Sequence, residues 1–172
     1  MRLFDPFSAV LDAIDRRILV LLQKDARISN ADIARALDMA PSAIFERVKK
    51  LESRAVIARY ETRLDAKALG FGLVAFVSVR VDDIHGGEAV AAALVAIPEA
   101  LEVHHVVGDD CFLVKLRTRD TEELARVIRE RFATVPGVKA TRTTIVLRPL
   151  KETLELPLGI ASPRRVDESA SA

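Results

Sequence analysis

The chain has no tryptophan, one cysteine and only 5% aromatic residues among its 172 residues. A single cysteine, Cys111, excludes an internal disulfide and is typical of proteins in a reducing cytoplasm. No apolar run approaches the roughly 20 residues of a membrane-spanning helix, and the first ten residues, MRLFDPFSAV, lack a signal-peptide pattern. We therefore expect a cytoplasmic protein with no membrane partner.

The sequence also lacks recognisable catalytic and metal-binding motifs. It contains no P-loop, no glycine pattern of a dinucleotide site and no nucleophile–base motif. His104 and His105 adjoin in a predicted strand and therefore point to opposite faces, and His85 stands apart in the sequence. We expect no enzyme activity, no cofactor and no metal site.

Charge is nearly balanced, with 26 Lys and Arg against 25 Asp and Glu, but it is unevenly distributed. Residues 1–60 hold 11 basic and 8 acidic residues, whereas residues 61–150 hold 12 and 13. Such a modest excess of basic residues does not by itself identify a nucleic-acid-binding protein. If the N-terminal part binds a polyanion, we expect it to need more than one copy.

Three short helical patterns occupy the N-terminal part of the chain. Asp12 is suited to cap the first, in which apolar residues recur at helical spacing. Asn30 is expected to cap the second, over residues 31–37. Pro41 is suited to the first position of the third, which is expected to run to about Arg54.

Residues 56–63 follow the third helix and are expected to form a short strand. Three helices and a strand in this order are typical of a winged helix-turn-helix. This pattern predicts double-stranded DNA as a partner, with the third helix in the major groove.

The third helix has an inward stripe of Ile44, Val48 and Leu51, with Phe45 on its flank. Its basic residues are expected to contact phosphates, whereas Ser42 and Glu46 are placed to meet base edges. The residues predicted to face DNA are Ser42, Ala43, Glu46, Arg47, Lys49, Lys50, Ser53 and Arg54.

The second half of the chain predicts the order β-α-β-β-α-β. The elements are expected over residues 72–81, 85–97, 101–107, 111–117, 120–135 and 138–147. This is the ferredoxin-like arrangement, a four-stranded antiparallel sheet with both helices on one face, so the fold class is α+β. Apolar and mixed side chains on the other face predict that a second subunit covers it.

The chain resembles the Lrp/AsnC, or feast/famine, family of transcription regulators. The resemblance is carried by LDAIDRRILVLLQKDARISNADIA, APSAIFERVKKLE and VIARYETRLDAKALG, and in the second half by VVGDDCFLVKLRTRD, VPGVKATRTTIVL and KETLELPL. It implies a winged helix-turn-helix over residues 1–60, a linker and wing strand over 61–70, and a ferredoxin-like sensor and oligomerisation domain over 71–158. We expect residues 159–172 to be a disordered tail.

The resemblance further implies homodimers that assemble into tetramers or octamers, and a small amino acid as effector. The residues that correspond to the effector site, with threonines that can add polar contacts, are Gly108, Asp109, Asp110, Cys111, Thr141, Thr143 and Thr144.

Several positions depart from the family pattern. Ala40 stands where the family usually has a capping serine, and Ala55 stands where it often has glycine, which would strain a turn that needs positive φ. Cys111 takes the position of an aspartate that helps hold the ligand's amino group. Either Asp109 or Asp110 supplies that charge, or the effector is different, or there is none.

Two other functions stay open at this point. Some relatives with the same two domains are sirohaem decarboxylases of the haem pathway, and the His104–His105 pair suits a large anionic tetrapyrrole. A low-specificity architectural protein would instead bind DNA with a steep salt dependence and no sequence preference.

Overall fold

The computed structural model describes residues 11–81 and 87–158, and their contacts divide them into two compact units. The first unit contains residues 11–62 together with 153–158, and the second contains residues 63–81 and 87–152. Residues 153–158 thus belong to the helical unit, although the sequence analysis assigns them to the second domain. The expected tail at 159–172 and His85 lie outside the described residues. None of the helices in the described ranges is long and apolar enough to cross a lipid bilayer.

The first unit begins with the three helices that the sequence predicts. Asp12 caps the first helix as expected, and Ala40 precedes the third without making a side-chain cap. Ser29, and not Asn30, caps the second: its Oγ accepts from the Asp32 amide at 3.1 Å and donates to the Asp32 carboxylate at 2.6 Å. The helices are α1 (Ala13–Lys24), α2 (Asn30–Leu37) and α3 (Pro41–Ser53).

A cluster of buried aliphatic side chains joins these helices. Ile18, Ile33 and Ile44 are fully inaccessible, and Leu158 packs against the same cluster from the end of the described chain. The main chain of Leu156 is fixed to α1 by Gln23, whose side chain donates to the carbonyl at 3.2 Å and accepts from the amide at 2.6 Å. Residues 153–158 are therefore an integral part of the first unit.

The turn after α3 contains the strained position that the sequence predicts. Ala55 has a φ of 54°, its amide donates to the carbonyl of Glu52, and the amide of Val56 donates to that of Leu51. These two bonds form a Schellman motif, whose left-handed position is usually occupied by glycine. The expectation for Ala55 is therefore confirmed.

The strand expected over residues 56–63 is absent from the described first unit. The segment is irregular, and its Tyr60 hydroxyl donates to the Glu52 carboxylate at 2.9 Å. Strand geometry requires a neighbouring strand to satisfy its backbone groups. No other strand of the described first unit offers that ladder, so the local β propensity of VIARYETR does not produce a strand. Residues 153–158 likewise contain no strand.

The second unit contains the antiparallel sheet that the sequence predicts, with the described strands in the order β2-β3-β1-β4. The central strand pairs with both neighbours, so that Val77 lies opposite Val114 on one side and Thr143 on the other. The elements are β1 (Leu73–Val81), α4 (Gly87–Val95), β2 (Ala100–His105), β3 (Phe112–Thr118), α5 (Thr121–Val127), a π-helical turn (Ile128–Phe132) and β4 (Val138–Ile145).

One face of this sheet is buried under the helices. Val77, Val79, Val114 and Leu116 alternate along the two central strands and are inaccessible, and Phe132 completes this core from the π-helical turn. The alternation of buried residues with half-buried ones is the period expected of a strand with one covered face.

The other face of the sheet carries a network of charges. Nζ of Lys115 lies 3.1 Å from Glu102 and 2.9 Å from Glu152, and Arg117 binds Glu152 at 3.0 Å. The hydrogen bond to Glu152 raises the pKa of Lys115 above its ordinary value. The open face is therefore more polar than the sequence suggests, and its charges are already paired within the unit.

Candidate functional site

The third helix of the first unit is held by a buried stripe and presents its opposite side to solvent. Ile44, Val48 and Leu51 are buried, as predicted from their spacing. Pro41 occupies the first turn, where its missing amide donor costs nothing. Because these three residues pack inward, the side of α3 that faces solvent follows from their positions in the sequence.

The predicted DNA-facing residues divide by exposure. Ala43 and Arg47 are half-buried, so they lie at the margin of the surface. The other six are exposed, and three of them are basic. These six, which we call the α3 outer surface, are Ser42, Glu46, Lys49, Lys50, Ser53 and Arg54.

Arg47 is engaged by two carboxylates of the first helix. Its Nη1 lies 2.6 Å from Oδ2 of Asp12 and 2.7 Å from Oδ1 of Asp15. The hydrogen bonds to Asp12 and Asp15 raise the pKa of the guanidinium above its ordinary value. The amide of Asp15 and the Arg47 guanidinium together hold the pKa of Asp12 below its ordinary value. The sequence predicts Arg47 as a phosphate contact, whereas the structure directs it to α1.

An open depression lies between α1 and the margin of the α3 outer surface. Its polar walls place three carboxylates against three cations, so the local charge is balanced. The residues that line it are Asp12, Asp15, Glu46, Arg47, Lys50 and Arg54.

Phe45 is a candidate that the sequence analysis assigns to the flank of the buried stripe. Its side chain is 51% exposed, beside the α3 outer surface. An exposed phenylalanine on a recognition helix can pack against the methyl group of thymine. The sequence does carry a signal for this exposure: Phe45 lies about 90° around the helix axis from the buried stripe.

The hairpin of the second unit places the candidate effector residues between β2 and β3. Gly108 has a φ of 141°, a conformation that residues with a side chain rarely adopt. The carboxylate of Asp110 is 17% exposed and lies 2.7 Å from Arg142 and 3.9 Å from Arg80. Asp109 is exposed in the same turn. Asp110 is therefore already neutralised by arginine, and Asp109 is the carboxylate presented to solvent.

Cys111 is held by the sheet through its backbone. Its amide donates to the carbonyl of Val79, and its carbonyl accepts from the amide of Val106, both at 2.9 Å. Its side chain packs against the core under the helices. The thiol therefore takes part in packing, and only the backbone of Cys111 borders the turn.

The three candidate threonines do not lie on one face. Thr141 and Thr143 pair with Val79 and Val77, whose side chains are on the helix-covered face. Thr144 pairs with Phe76 on the open face, because consecutive strand residues alternate. These threonines cannot contact one small ligand from the same side of the sheet.

The two adjoining histidines also point to opposite faces, as predicted. His104 lies 3.2 Å from the Glu102 carboxylate, and His105 stacks on Phe112 with ring centroids 5.0 Å apart. They do not converge on a single ligand, which removes the geometric basis for a tetrapyrrole site at this pair. Within residues 11–81 and 87–158, no cluster of His, Cys, Asp and Glu side chains could hold a metal ion.

Two family models match the chain, each on one of its two units. The AsnC-type helix-turn-helix domain matches residues 11–52, and the Lrp/AsnC ligand-binding domain matches residues 74–156. Together these ranges contain the hairpin with Gly108 and the α3 outer surface except Ser53 and Arg54, which lie just beyond residue 52.

Sequence relatives span nearly the same length. The HTH-type transcriptional regulator FL11 of Pyrococcus abyssi is 40% identical over 148 residues, covering 86% of this chain and 97% of the relative. The leucine-responsive regulatory protein of Haemophilus influenzae is 35% identical over 150 residues, covering 85% of this chain and 89% of the relative.

The fold also matches solved structures. A transcriptional regulator of Neisseria meningitidis, solved in complex with L-methionine, superposes with a TM-score of 0.83 at 27% identity, covering 87% of this chain and 97% of that one. The AsnC protein of Escherichia coli superposes with a TM-score of 0.80 at 24% identity, covering 84% and 97%, and supports the fold. The chain therefore belongs to the Lrp/AsnC family of transcriptional regulators, with a DNA-binding helix-turn-helix and a ligand-binding domain.

Proposed function

We propose that the chain is an oligomeric regulator that binds specific DNA sequences through α3 and is modulated by a small amino acid. The observation that carries this proposal is the α3 outer surface, where Lys49, Lys50 and Arg54 accompany the exposed Glu46 on one solvent-facing side. Basic residues around a hydrogen-bonding side chain suit a helix that is positioned by phosphates and reads base edges.

The basic residues and the polar residues have different roles in this proposal. Lys49, Lys50 and Arg54 neutralise phosphates, which gives affinity for any duplex and makes it depend on salt. Ser42 and Glu46 meet base edges, and the carboxylate of Glu46 accepts from the exocyclic amine of cytosine. Ser53 lies at the end of the helix, where it borders the sugar-phosphate backbone of the DNA.

Self-association is supported by apolar side chains that the second unit leaves in solvent. Val107 and Leu147 are fully exposed, and Leu101 is 56% exposed. Large apolar side chains in contact with water favour association with another protein surface. We propose homodimers and higher assemblies, in which two copies of α3 reach successive major grooves about 34 Å apart.

The amino-acid effector is supported by the names of the relatives and by the hairpin. One relative is described as leucine-responsive and one structural neighbour as a complex with L-methionine. In this chain Asp109 is the exposed carboxylate of the turn, and we propose that it binds the ammonium group of the effector. Asp110 then maintains the turn through Arg142.

The testing experiment is a selection of duplexes from a random-sequence library by the purified chain, followed by a DNase footprint on the DNA upstream of its own gene. We expect one enriched motif and protection phased at about 10 base pairs. Enrichment of no motif, with binding that depends steeply on salt, would instead favour the low-specificity architectural protein.

Effector binding is tested by calorimetric titration with L-leucine, L-methionine and other small amino acids, followed by light scattering with and without the amino acid that binds. We expect one of them to bind and to change the size of the assembly, because an effector shifts assembly only by binding one state more tightly. If none binds, the regulator has no amino-acid effector.

A further inference from the structure

Arg47, in the middle of α3, is tied to α1 by two ion pairs. A single nitrogen, Nη1, contacts a carboxylate oxygen of Asp12 at 2.6 Å and one of Asp15 at 2.7 Å. The Asp15 side chain is only 14% exposed and that of Arg47 is 31% exposed. The Asp12 side chain is 51% exposed, so Asp15 is the more shielded of the two carboxylates. Transfer of Arg47 from Asp15 to a phosphate would leave this shielded carboxylate without its cation.

Asp12 contributes to two helices at once. Its Oδ1 accepts from the amide of Asp15 at 2.7 Å and thereby caps α1, while its Oδ2 accepts from Arg47. The same carboxylate therefore fixes the first turn of α1 and the middle of α3, which are 35 residues apart. Releasing Arg47 to DNA would leave Asp12 bound to α1 alone.

The contact also determines how α3 is oriented. Arg47 follows Glu46 directly and precedes Lys50 by about one turn of helix. A fixed point at this position limits rotation of α3 about its axis, which sets where Glu46 and Lys50 point. Arg47 lies beside the buried stripe of the helix, which restrains the same rotation.

Resting on the proposed recognition of DNA by α3, we propose that Arg47 is a positioning residue and does not contact phosphate. Asp12 and Asp15 keep its guanidinium on α1, and the resulting orientation of α3 lets Glu46 discriminate between bases. Arg47 thus contributes to sequence specificity, whereas Lys50 contributes affinity that is independent of sequence.

The test uses the full chain, the duplex enriched by random-library selection and a random-sequence duplex, both labelled with fluorescein. Binding is measured by anisotropy over a range of salt concentrations, which gives the salt slope and the ratio of affinities for the two duplexes. In Lys50→Ala we expect the slope to fall by about 0.9 per bound subunit with the ratio unchanged, as for a phosphate contact. In Arg47→Ala we expect an unchanged slope and a ratio about 3- to 30-fold lower.

Two conservative variants test the proposal if Arg47→Ala does not fold. Glutamine keeps a polar side chain at this position but has no charge, so it forms no ion pair with Asp12 or Asp15. In Arg47→Gln we therefore expect an unchanged slope and a lower ratio. In Asp15→Asn we also expect a lower ratio, and its effect should not add to that of Arg47→Gln because both remove the ion pair between Arg47 and Asp15.

A phosphate role for Arg47 predicts the opposite pattern and would overturn the proposal. The slope would then fall in Arg47→Ala as it does in Lys50→Ala, and Asp15→Asn would bind both duplexes more tightly at an unchanged ratio. If the unaltered chain enriches no duplex at all, the proposed sequence-specific function fails. That outcome is distinct from the failure of the role assigned to Arg47.

Discussion

In each unit, one charged side chain that the sequence predicts to bind a ligand is neutralised by an ion pair within the unit. The two units differ in which charged side chains of the predicted sites are still exposed. In the first, Arg47 is bound by carboxylates, yet Lys49 and Lys50 are still exposed on the same helix. In the second, Asp110 is bound by Arg142, and Asp109 is the carboxylate exposed in that turn. Family resemblance therefore transfers more securely to the α3 outer surface, where more than one basic side chain is exposed, than to the hairpin, where Asp109 is the exposed carboxylate.

The largest expected effect is on the DNA surface. Lys50→Ala removes the phosphate contact that we propose for each subunit, so we expect affinity to fall about tenfold per bound subunit near 0.1 M salt. Fluorescence anisotropy at several salt concentrations measures this loss, with Lys24→Ala at the end of α1 as the matched control. Equal losses in the two variants would show that general charge matters and not the α3 outer surface.

The next effect compares the two aspartates of the hairpin. Asp109→Asn removes the carboxylate that we assign to the ammonium group, so we expect amino-acid affinity to fall about tenfold, as for a hydrogen bond to a charged group. Titration calorimetry measures the affinity of the unaltered chain and both variants. Asp110→Asn is the control: it should weaken effector binding less and lower the thermal stability of the protein through loss of its pair with Arg142. The reverse ranking would assign the ligand charge to Asp110.

A smaller effect concerns base preference. Glu46→Ala removes an acceptor for a base edge, so we expect relaxed discrimination at one base pair per half-site, worth about 1 kcal/mol. Repeating the random-library selection measures it, with Ser53→Ala as a control at the end of the helix. A selected motif identical to that of the unaltered chain would rule out base contact by Glu46.

The smallest expected effect is a change in stability that leaves DNA recognition unaltered. Ala55→Gly relieves the left-handed backbone of the Schellman turn, so we expect the free energy of unfolding to rise by about 1 kcal/mol. Urea unfolding measures the change, and the selected DNA motif should stay the same. A loss of stability would show that flexibility gained by the unfolded chain outweighs the relieved strain.

Local patterns predict the parts of this molecule that depend on neighbours in sequence. The stripe of Ile44, Val48 and Leu51, the cap at Asp12 and the strained Ala55 all follow from spacing or from one backbone position. The cap of α2 was misplaced by one residue, although the spacing of Ser29 and Asp32 carries the capping-box signal.

Pairs distant in sequence could not be predicted in this way. Asp12 with Arg47 and Asp110 with Arg142 are separated by 35 and 32 residues, and each contact exists only once the fold brings the two side chains together. The strand expected over residues 56–63 failed for the same reason, because a strand needs a partner that its own sequence does not specify.

The division of the first unit between two distant segments has a consequence for synthesis. A ribosome makes the three helices first, but Leu158 and the main chain that Gln23 binds follow only after the whole sheet unit has been translated. Domains generally begin to fold as they emerge. A transcript interrupted after Glu152 would yield every strand of the described sheet together with helices that lack the last contacts of their core. The cell therefore completes the helix-turn-helix unit only in chains that already carry the ligand-binding domain.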